Sequence, residues 1–325
     1  MRRWACAIPV AVIAIWLIVL NRLAPPPRPM DGAQPSVNDR ARILNTDDRL
    51  PVADPTAMPW RPIGQIRAWW GSQGLTGTGV LVGPDQVLTA AHCVCREEFG
   101  GWASEATFTP ARSGDSTPYG TARAVRYAVP AEYTQQFSEA HDIVLITLDR
   151  PIGNDAGWLP VLPRAQAGPG LMNVLLRSAG YPADNPGRML SITGSITALP
   201  DSPDAPWEIN LDATFGQSGS PIWIDTGADG AATLAAILVA ELDSGRANLA
   251  APISAELVEQ LRAGNIAGAQ MATAAGTGDV LIAEPGSAAS PLVAPPIGGC
   301  GTGIVPMTAL SFAGLAVVRS SRRRN

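Results

Sequence analysis

Short apolar runs, each broken by glycine, proline or aspartate, dominate the middle of the chain. They include TGVLVGPDQVLTAAH, DIVLITLDRPI, MLSITGSITAL, WEINLDATF, SPIWIDT and TLAAILVAEL. Runs of this length that are punctuated by turn residues are typical of antiparallel strands. The pattern therefore predicts an all-β body of the sandwich or barrel type.

One segment has a helical period instead. In PISAELVEQLRAG, Leu257 and Leu261 lie one helical turn apart. Ser254 is placed to cap the first turn and Gly264 to end the last one. We predict a helix over 253–263 that follows the strands.

The first 23 residues predict an export signal or a membrane anchor. Two arginines precede an apolar run from Trp4 to Leu20. As a helix this run would reach about 25 Å at ~1.5 Å per residue, close to the ~30 Å hydrocarbon thickness. The segment is either a cleaved signal peptide or an uncleaved anchor, and the poor cleavage site in NRLAPPP favours the anchor. In both cases the body is exported to the cell envelope, the periplasm or the medium.

Composition divides the remaining chain into four parts. Residues 24–45 are rich in proline and polar residues and predict a spacer or pro-segment. Residues 46–264 form the predicted folded domain, and 265–298 have the Ala/Gly/Pro composition of a linker. Residues 299–325 combine a Cys-Gly element, a short apolar stretch and an arginine cluster.

The charges exclude several functions. All 23 basic residues are arginine, so mechanisms that need a lysine nucleophile, base or phosphate ligand are excluded. Between residues 46 and 265 there are 13 arginines and 24 acidic residues, a net charge of −11. An acidic body without a basic stripe argues against nucleic-acid binding.

Three polar residues at the ends of predicted strands carry candidate chemistry. They are His92 in LTAAHC, Asp142 in HDIVLITL and Ser218 in FGQSGSP. A serine hydroxyl needs a neighbouring base to become a nucleophile, and an imidazole oriented by a carboxylate provides one. The only other histidine is His141, in a weaker context. The chain order is the reverse of that in α/β-hydrolases, which also need a G-x-S-x-G elbow.

These stretches resemble the chymotrypsin-fold serine peptidases, in particular the bacterial glutamyl-endopeptidase-like branch. The resemblance is carried by DDRLPVADPTAMPWRPIGQI (47–66), TGTGVLVGPDQVLTAAHCV (76–94), HDIVLITLDRPIG (141–153) and LDATFGQSGSPIW (211–223). It implies two antiparallel six-stranded β-barrels, at about 60–155 and 156–252, with the C-terminal helix after them.

The resemblance also implies the roles of individual residues. His92 is expected to be the general base, Asp142 its orienter and Ser218 the nucleophile, with the amides of Gly216 and Ser218 as the oxyanion hole. The expected partner is a protein or peptide substrate, and no cofactor or metal is expected. The alternative is an inactive homologue that binds a peptide in the same cleft.

Two departures from the family pattern bear on activation and specificity. Gln217 stands where trypsin-type enzymes have an aspartate, so other hydrogen bonds are expected to hold the oxyanion loop. The strand after the nucleophile lacks the histidine that recognises glutamate, so glutamate specificity is not expected. Asp212, Ala213, Val239 and Ala240 are the candidate substrate-pocket residues. Asp212 predicts a preference for arginine or lysine, with a turn-stabilising role as the alternative.

The four cysteines have no assured partners. Cys93 and Cys95 are too close for an unstrained bridge, which leaves free thiols or a labile bond, and the chain offers too few ligands for a zinc site. Cys300 opens the tail, which resembles bacterial sorting signals that a sorting protease clips. The alternative is a second membrane anchor.

Overall fold

The computed structural model describes residues 42–130, 132–133, 141–202, 205–226, 231–241, 245–264, 270–273 and 281–282. The expected anchor (1–23) and the tail (299–325) lie outside the described residues, so these expectations stay predictions. Within the described part of the chain, no helix combines the length and the apolar character needed to cross a bilayer.

Strands make up most of the described structure. In chain order they are β1 Leu50–Pro51, β2 Ile63–Trp70, β3 Gln73–Gly83, β4 Gln86–Thr89, β5 Cys95–Arg96, β6 Gly101–Trp102, β7 Glu105–Pro110, β8 Ala122–Val129, β9 Val144–Leu148, β10 Leu176–Gly180, β11 Leu190–Gly194, β12 Ile196–Ala198, β13 Trp207–Ile209, β14 Pro221–Thr226, β15 Ala231–Glu241, β16 Asn248–Pro252, β17 Gln270–Thr273 and β18 Leu281–Ile282. The described α-helices are α1 Gly153–Ala156 and α2 Ala255–Ala263, and short 3-10 turns span Ala91–Cys93, Glu97–Phe99, Arg164–Gln166 and Pro169–Leu171.

The first half of the domain is a closed six-stranded barrel. Its strands follow the order β2-β3-β4-β9-β8-β7, and β7 returns to β2. A two-residue turn joins β2 to β3, and Gly71 supplies the positive φ of 63° that such a turn needs. β17 and β18 extend this sheet from the edge of β8, so the segment predicted as a linker contains two short strands.

The second half is an open half-barrel of eight strands. Their order is β1-β11-β10-β14-β15-β16-β13-β12, and all the pairs within it are antiparallel. The predicted all-β double barrel with a C-terminal helix is confirmed, with the second barrel left open.

Buried apolar side chains form three clusters, and the middle one joins the two halves. In that cluster, Ile63 and Leu88 of the first barrel pack with Tyr181, Trp223 and Ile237 of the second sheet. Since burial of such side chains stabilises by roughly 1.5–3 kcal/mol each, this shared core fixes the two halves against each other.

Helix α2 closes the domain as the sequence predicts. The Ser254 hydroxyl accepts a 3.1 Å hydrogen bond from the Leu257 amide. Gly264 ends the helix in the left-handed region, at φ 65°. Val258 and Leu261 are buried against the shared core.

Candidate functional site

Strand register brings His92 and Asp142 together. β4 pairs with β9 antiparallel, and Thr89 lies opposite Val144. His92 follows Thr89 on a 3-10 turn, while Asp142 comes just before Val144. Because antiparallel neighbours place these two ends side by side, residues 50 positions apart in sequence meet at one edge of the barrel.

Asp142 holds the imidazole through two contacts. Its Oδ2 lies 2.5 Å from His92 Nδ1, and its Oδ1 accepts a 2.9 Å bond from the His92 backbone amide. The His92 side chain is 17% exposed and the carboxylate 6%. Burial acts to lower the pKa of His92, but the charge and hydrogen bond of Asp142, together with the effect of Cys93, raise the pKa well above its usual value. This geometry directs Nδ1 to the carboxylate and leaves Nε2 to face the opposite way.

Ser218 lies on a tight turn just before β14. The Gln217 amide donates to Thr214 O at 3.0 Å and the Ser220 amide to Gln217 O at 2.9 Å. The Ser218 carbonyl accepts a 2.8 Å bond from the Thr78 amide of β3. The turn is thus fixed both within itself and to the first barrel.

Two glycines permit the backbone of this turn. Gly216 has φ 91° and Gly219 has φ 82°. A Cβ on Gly219 would lie 2.0 Å from Thr89 Oγ1 and 2.1 Å from Thr78 O. Only glycine meets both requirements, a positive φ and such close backbone approach.

The amides of Gly216 and Ser218 are available to a ligand. Among the described residues, neither of them donates a backbone hydrogen bond, whereas the Gly219 amide donates to Leu238 O at 2.8 Å. The Gly216 carbonyl faces the protein, where it accepts from Thr78 Oγ1 at 2.9 Å. The two amides are therefore candidate donors for an oxyanion hole.

Cys93 connects the serine turn to the histidine turn. It directly follows His92, and its Sγ lies 3.5 Å from Ser218 O. A side chain on Gly77 would come within 2.7 Å of that sulfur, so Gly77 leaves room for the contact. Within the described part of the chain, Cys93 and Cys95 are both buried free thiols, so no disulfide joins them to each other.

Comparison with known proteins places these features in a family. Residues 77–228 match the model of the trypsin-like peptidase domain. We call residues 77–228 the trypsin-like domain after this resemblance. The domain resembles the glutamyl endopeptidase of Bacillus licheniformis, with 32% identity over 182 residues, 56% of this chain and 54% of that protein. It also resembles the extracellular metalloprotease of Bacillus subtilis, with 31% identity over 186 residues, 57% of this chain and 48% of that protein.

The chain therefore spans about half the length of the curated relatives it matches. Among solved structures, a Glu endopeptidase in complex with MPD is similar, with a TM-score of 0.59 and 21% identity. The match covers 69% of this chain and 99% of that one. The trypsin-like domain thus has the chymotrypsin-like serine protease fold.

A buried arginine, which the sequence did not single out, holds the serine turn of the trypsin-like domain. The Arg49 side chain is 3% exposed, and its Nη1 donates to Gln217 Oε1 at 2.7 Å and to Thr214 Oγ1 at 2.8 Å. Its other nitrogens bind the carboxylates of Asp47 and Asp184. Burial acts to lower the pKa of Arg49, but the two carboxylates raise it above its usual value. Arg49 thus supplies hydrogen bonds of the kind expected to hold the oxyanion loop around Gln217.

Asp212 is occupied by the chain itself. Its Oδ1 accepts a 2.8 Å bond from the Leu44 amide and its Oδ2 a 3.2 Å bond from the Asp48 amide. With the residue 5% exposed, these bonds favour the structural alternative over a pocket carboxylate. Ala213 and Val239 pack into the apolar clusters, and Ala240 is partly buried against one.

Metal ligands are not clustered in the part of the trypsin-like domain that the structure describes. No group of three or more His, Cys, Asp and Glu side chains there is arranged to hold an ion. The chemistry available at this site is that of the histidine, the carboxylate, the hydroxyl and the two amides.

Proposed function

We propose that this chain is an exported serine endopeptidase in which His92 is the general base, Asp142 its orienter and Ser218 the nucleophile. The observation that carries the proposal is the double contact of Asp142 with the ring and the amide of His92. The backbone amides of Gly216 and Ser218, which donate to no backbone acceptor among the described residues, support it. The likeness to a glutamyl endopeptidase supports it as well.

The proposed reaction follows from these positions. Ser218 Oγ attacks the scissile carbonyl carbon while its proton passes to His92 Nε2. Asp142 stabilises the imidazolium, and the Gly216 and Ser218 amides stabilise the oxyanion, each being worth about 3–4 kcal/mol of barrier. The imidazolium then gives its proton to the leaving amine, which departs and leaves an acyl-enzyme. Water, deprotonated by His92, attacks the ester; the bond to Ser218 Oγ then breaks, the imidazolium returns its proton to that oxygen, and the carboxylic acid product leaves.

The substrate class and the location belong to the same proposal. We place the enzyme outside the cytoplasm, acting on protein or peptide substrates. The extracellular metalloprotease that the chain resembles supports this location. We do not extend the glutamate preference named for the other relative to this chain, because the strand after the nucleophile has no histidine.

An active-site label tests the proposal. A fluorophosphonate probe should modify the purified protein once, at Ser218, and Ser218→Ala should abolish the label. His92→Ala should slow labelling strongly, while His141→Gln, the matched control, should leave the rate unchanged. A full-length protein that folds, takes up no probe and cleaves no member of a peptide library, yet binds library peptides, would be a peptide-binding homologue instead.

A further inference from the structure

A cavity of about 460 Å³ lies beside the serine turn. Phe215, which directly precedes Gly216, lines one side of it. Leu75 and Thr76 of β3 line another, and Arg67 and Arg112 face it from the first barrel. The described lining includes none of the predicted substrate-pocket residues, so this cavity is a separate space next to the candidate oxyanion hole.

Arg67 reaches this cavity without a partner. Its Nε is buried, and among the described residues it has no hydrogen-bond acceptor. Burial lowers the pKa of Arg67, and repulsion from the Arg112 guanidinium lowers it further. A guanidinium that stays charged while half-buried and without a counter-ion is energetically costly. A negatively charged group in the cavity would offset that cost.

Arg112 is fixed in place by neutral groups. Its Nε donates to Gly114 O at 2.9 Å and its Nη1 to Gln65 Oε1 at 2.5 Å. Gln65 is buried, and its side-chain oxygen holds the guanidinium at the cavity. Asp115 is the one carboxylate in the described lining. It is exposed, and within the described residues no ion pair joins it to either arginine.

We propose that this cavity binds an acidic side chain of the peptide substrate on the leaving-group side of the scissile bond. Paired guanidinium groups fit a carboxylate through charge-assisted hydrogen bonds. The lining joins β3 to Phe215, which directly precedes the candidate oxyanion amides, and it includes no residue of β15, the strand expected to contact the acyl half. We therefore assign the cavity to the leaving half. This inference rests on the proposed peptidase function and adds a substrate class to it.

Paired peptides test the inference. Their acyl half is fixed to a sequence that the wild-type protein cleaves in a library digestion. Glutamate and glutamine are then exchanged at the first, second and third positions after the scissile bond. At one of these positions the glutamate peptide should have a kcat/KM about 10-fold higher, the size expected for a charge-assisted hydrogen bond.

Variants then assign the preference to the cavity. Arg67→Gln and Arg112→Gln should each bring the glutamate-to-glutamine ratio close to one. Arg123→Gln is the matched control, because it removes an exposed arginine on β8 and should leave the ratio unchanged. The ratio is measured within each variant, so a general change in activity cancels. Arg67 has no partner to lose, so we expect its variant to fold.

The outcomes separate this inference from the proposed function. If wild-type protein cleaves the peptides with equal rates for glutamate and glutamine, the cavity proposal fails and the peptidase stands. If the library digestion instead shows a preference for glutamate before the scissile bond, and Arg67→Gln removes it, the leaving-group placement is overturned. If neither the peptides nor a nitroanilide of the same acyl half is hydrolysed, and no fluorophosphonate is taken up, the peptidase function itself fails.

Discussion

Arg49 and Gln217 are 168 positions apart in sequence, yet Arg49 Nη1 donates a 2.7 Å hydrogen bond to Gln217 Oε1. The same Gln217 oxygen accepts a 3.0 Å bond from the Thr214 amide, so the side chain closes the serine turn from both sides. Gln217 is 1% exposed, and its position between Gly216 and Ser218 ties it to both candidate oxyanion amides. The segment before β1 thus supports the serine turn.

Replacing this arginine should weaken catalysis more than folding. In Arg49→Met, Thr214 and Gln217 lose the hydrogen bonds that Arg49 donates to them. The candidate oxyanion amides beside Gln217 are then less well oriented. We expect kcat to fall by about 10- to 100-fold with a smaller change in KM, because oxyanion contacts act mainly in the transition state. Steady-state kinetics on one peptide substrate measure this split.

Arg177→Met is the control for that experiment. Arg177 also pairs with an aspartate, at 2.8 Å from Asp225, but on the exposed surface. Exposed pairs contribute about 0–1 kcal/mol, so this variant should keep wild-type kinetics. Wild-type kcat in Arg49→Met would contradict the role of Arg49 in positioning the turn.

Asp142→Asn should change both the activity and the titration of His92. The substitution removes the largest of the effects that raise the pKa of His92 and leaves burial, which lowers it. We therefore expect the pKa to fall and kcat to drop by about 10⁴-fold. The chain has two histidines, so in a His141→Gln background the imidazole NMR signals report His92 alone.

The raised pKa of His92 also predicts how stability depends on pH. The group stabilises the fold fully below its unfolded pKa of about 6.5, and this contribution is lost as the pH rises through the higher folded value. The gap in unfolding free energy between wild type and Asp142→Asn should therefore shrink over that interval. A gap that widens with rising pH, measured by urea denaturation, would refute the assignment.

Asp212→Asn should destabilise the N-terminal segment and leave specificity unchanged. An amide group would place a donor against the Leu44 or Asp48 amide, at a cost of about 1–3 kcal/mol of unfolding free energy. Urea denaturation measures the loss, with Asp225→Asn as an exposed control. Loss of cleavage after arginine at unchanged stability would instead restore Asp212 as a pocket carboxylate.

Gly219→Ala should prevent stable folding of the serine turn. The added methyl group meets the backbone of Thr78, and the positive φ adds strain. We expect a loss of more than about 3 kcal/mol, visible as a lower midpoint of thermal unfolding. Gly170→Ala is the control, because nothing lies within 4 Å of its added Cβ. Equal midpoints for the two variants would show that the turn can relax.

The sequence by itself determined the local features of this protein. Alternating turns and short apolar runs set the strands, and Ser254 and Gly264 set the ends of helix α2, because each of these signals acts within a few residues. Motif order also indicated His92, Asp142 and Ser218, and the strand register then placed the first two in contact. Only the tertiary structure decided that Arg49 binds Gln217, that Asp212 binds backbone amides and that two arginines share a cavity. These depend on contacts between residues far apart in sequence, whose partners are set by how the barrels pack and leave no periodic signal in the chain.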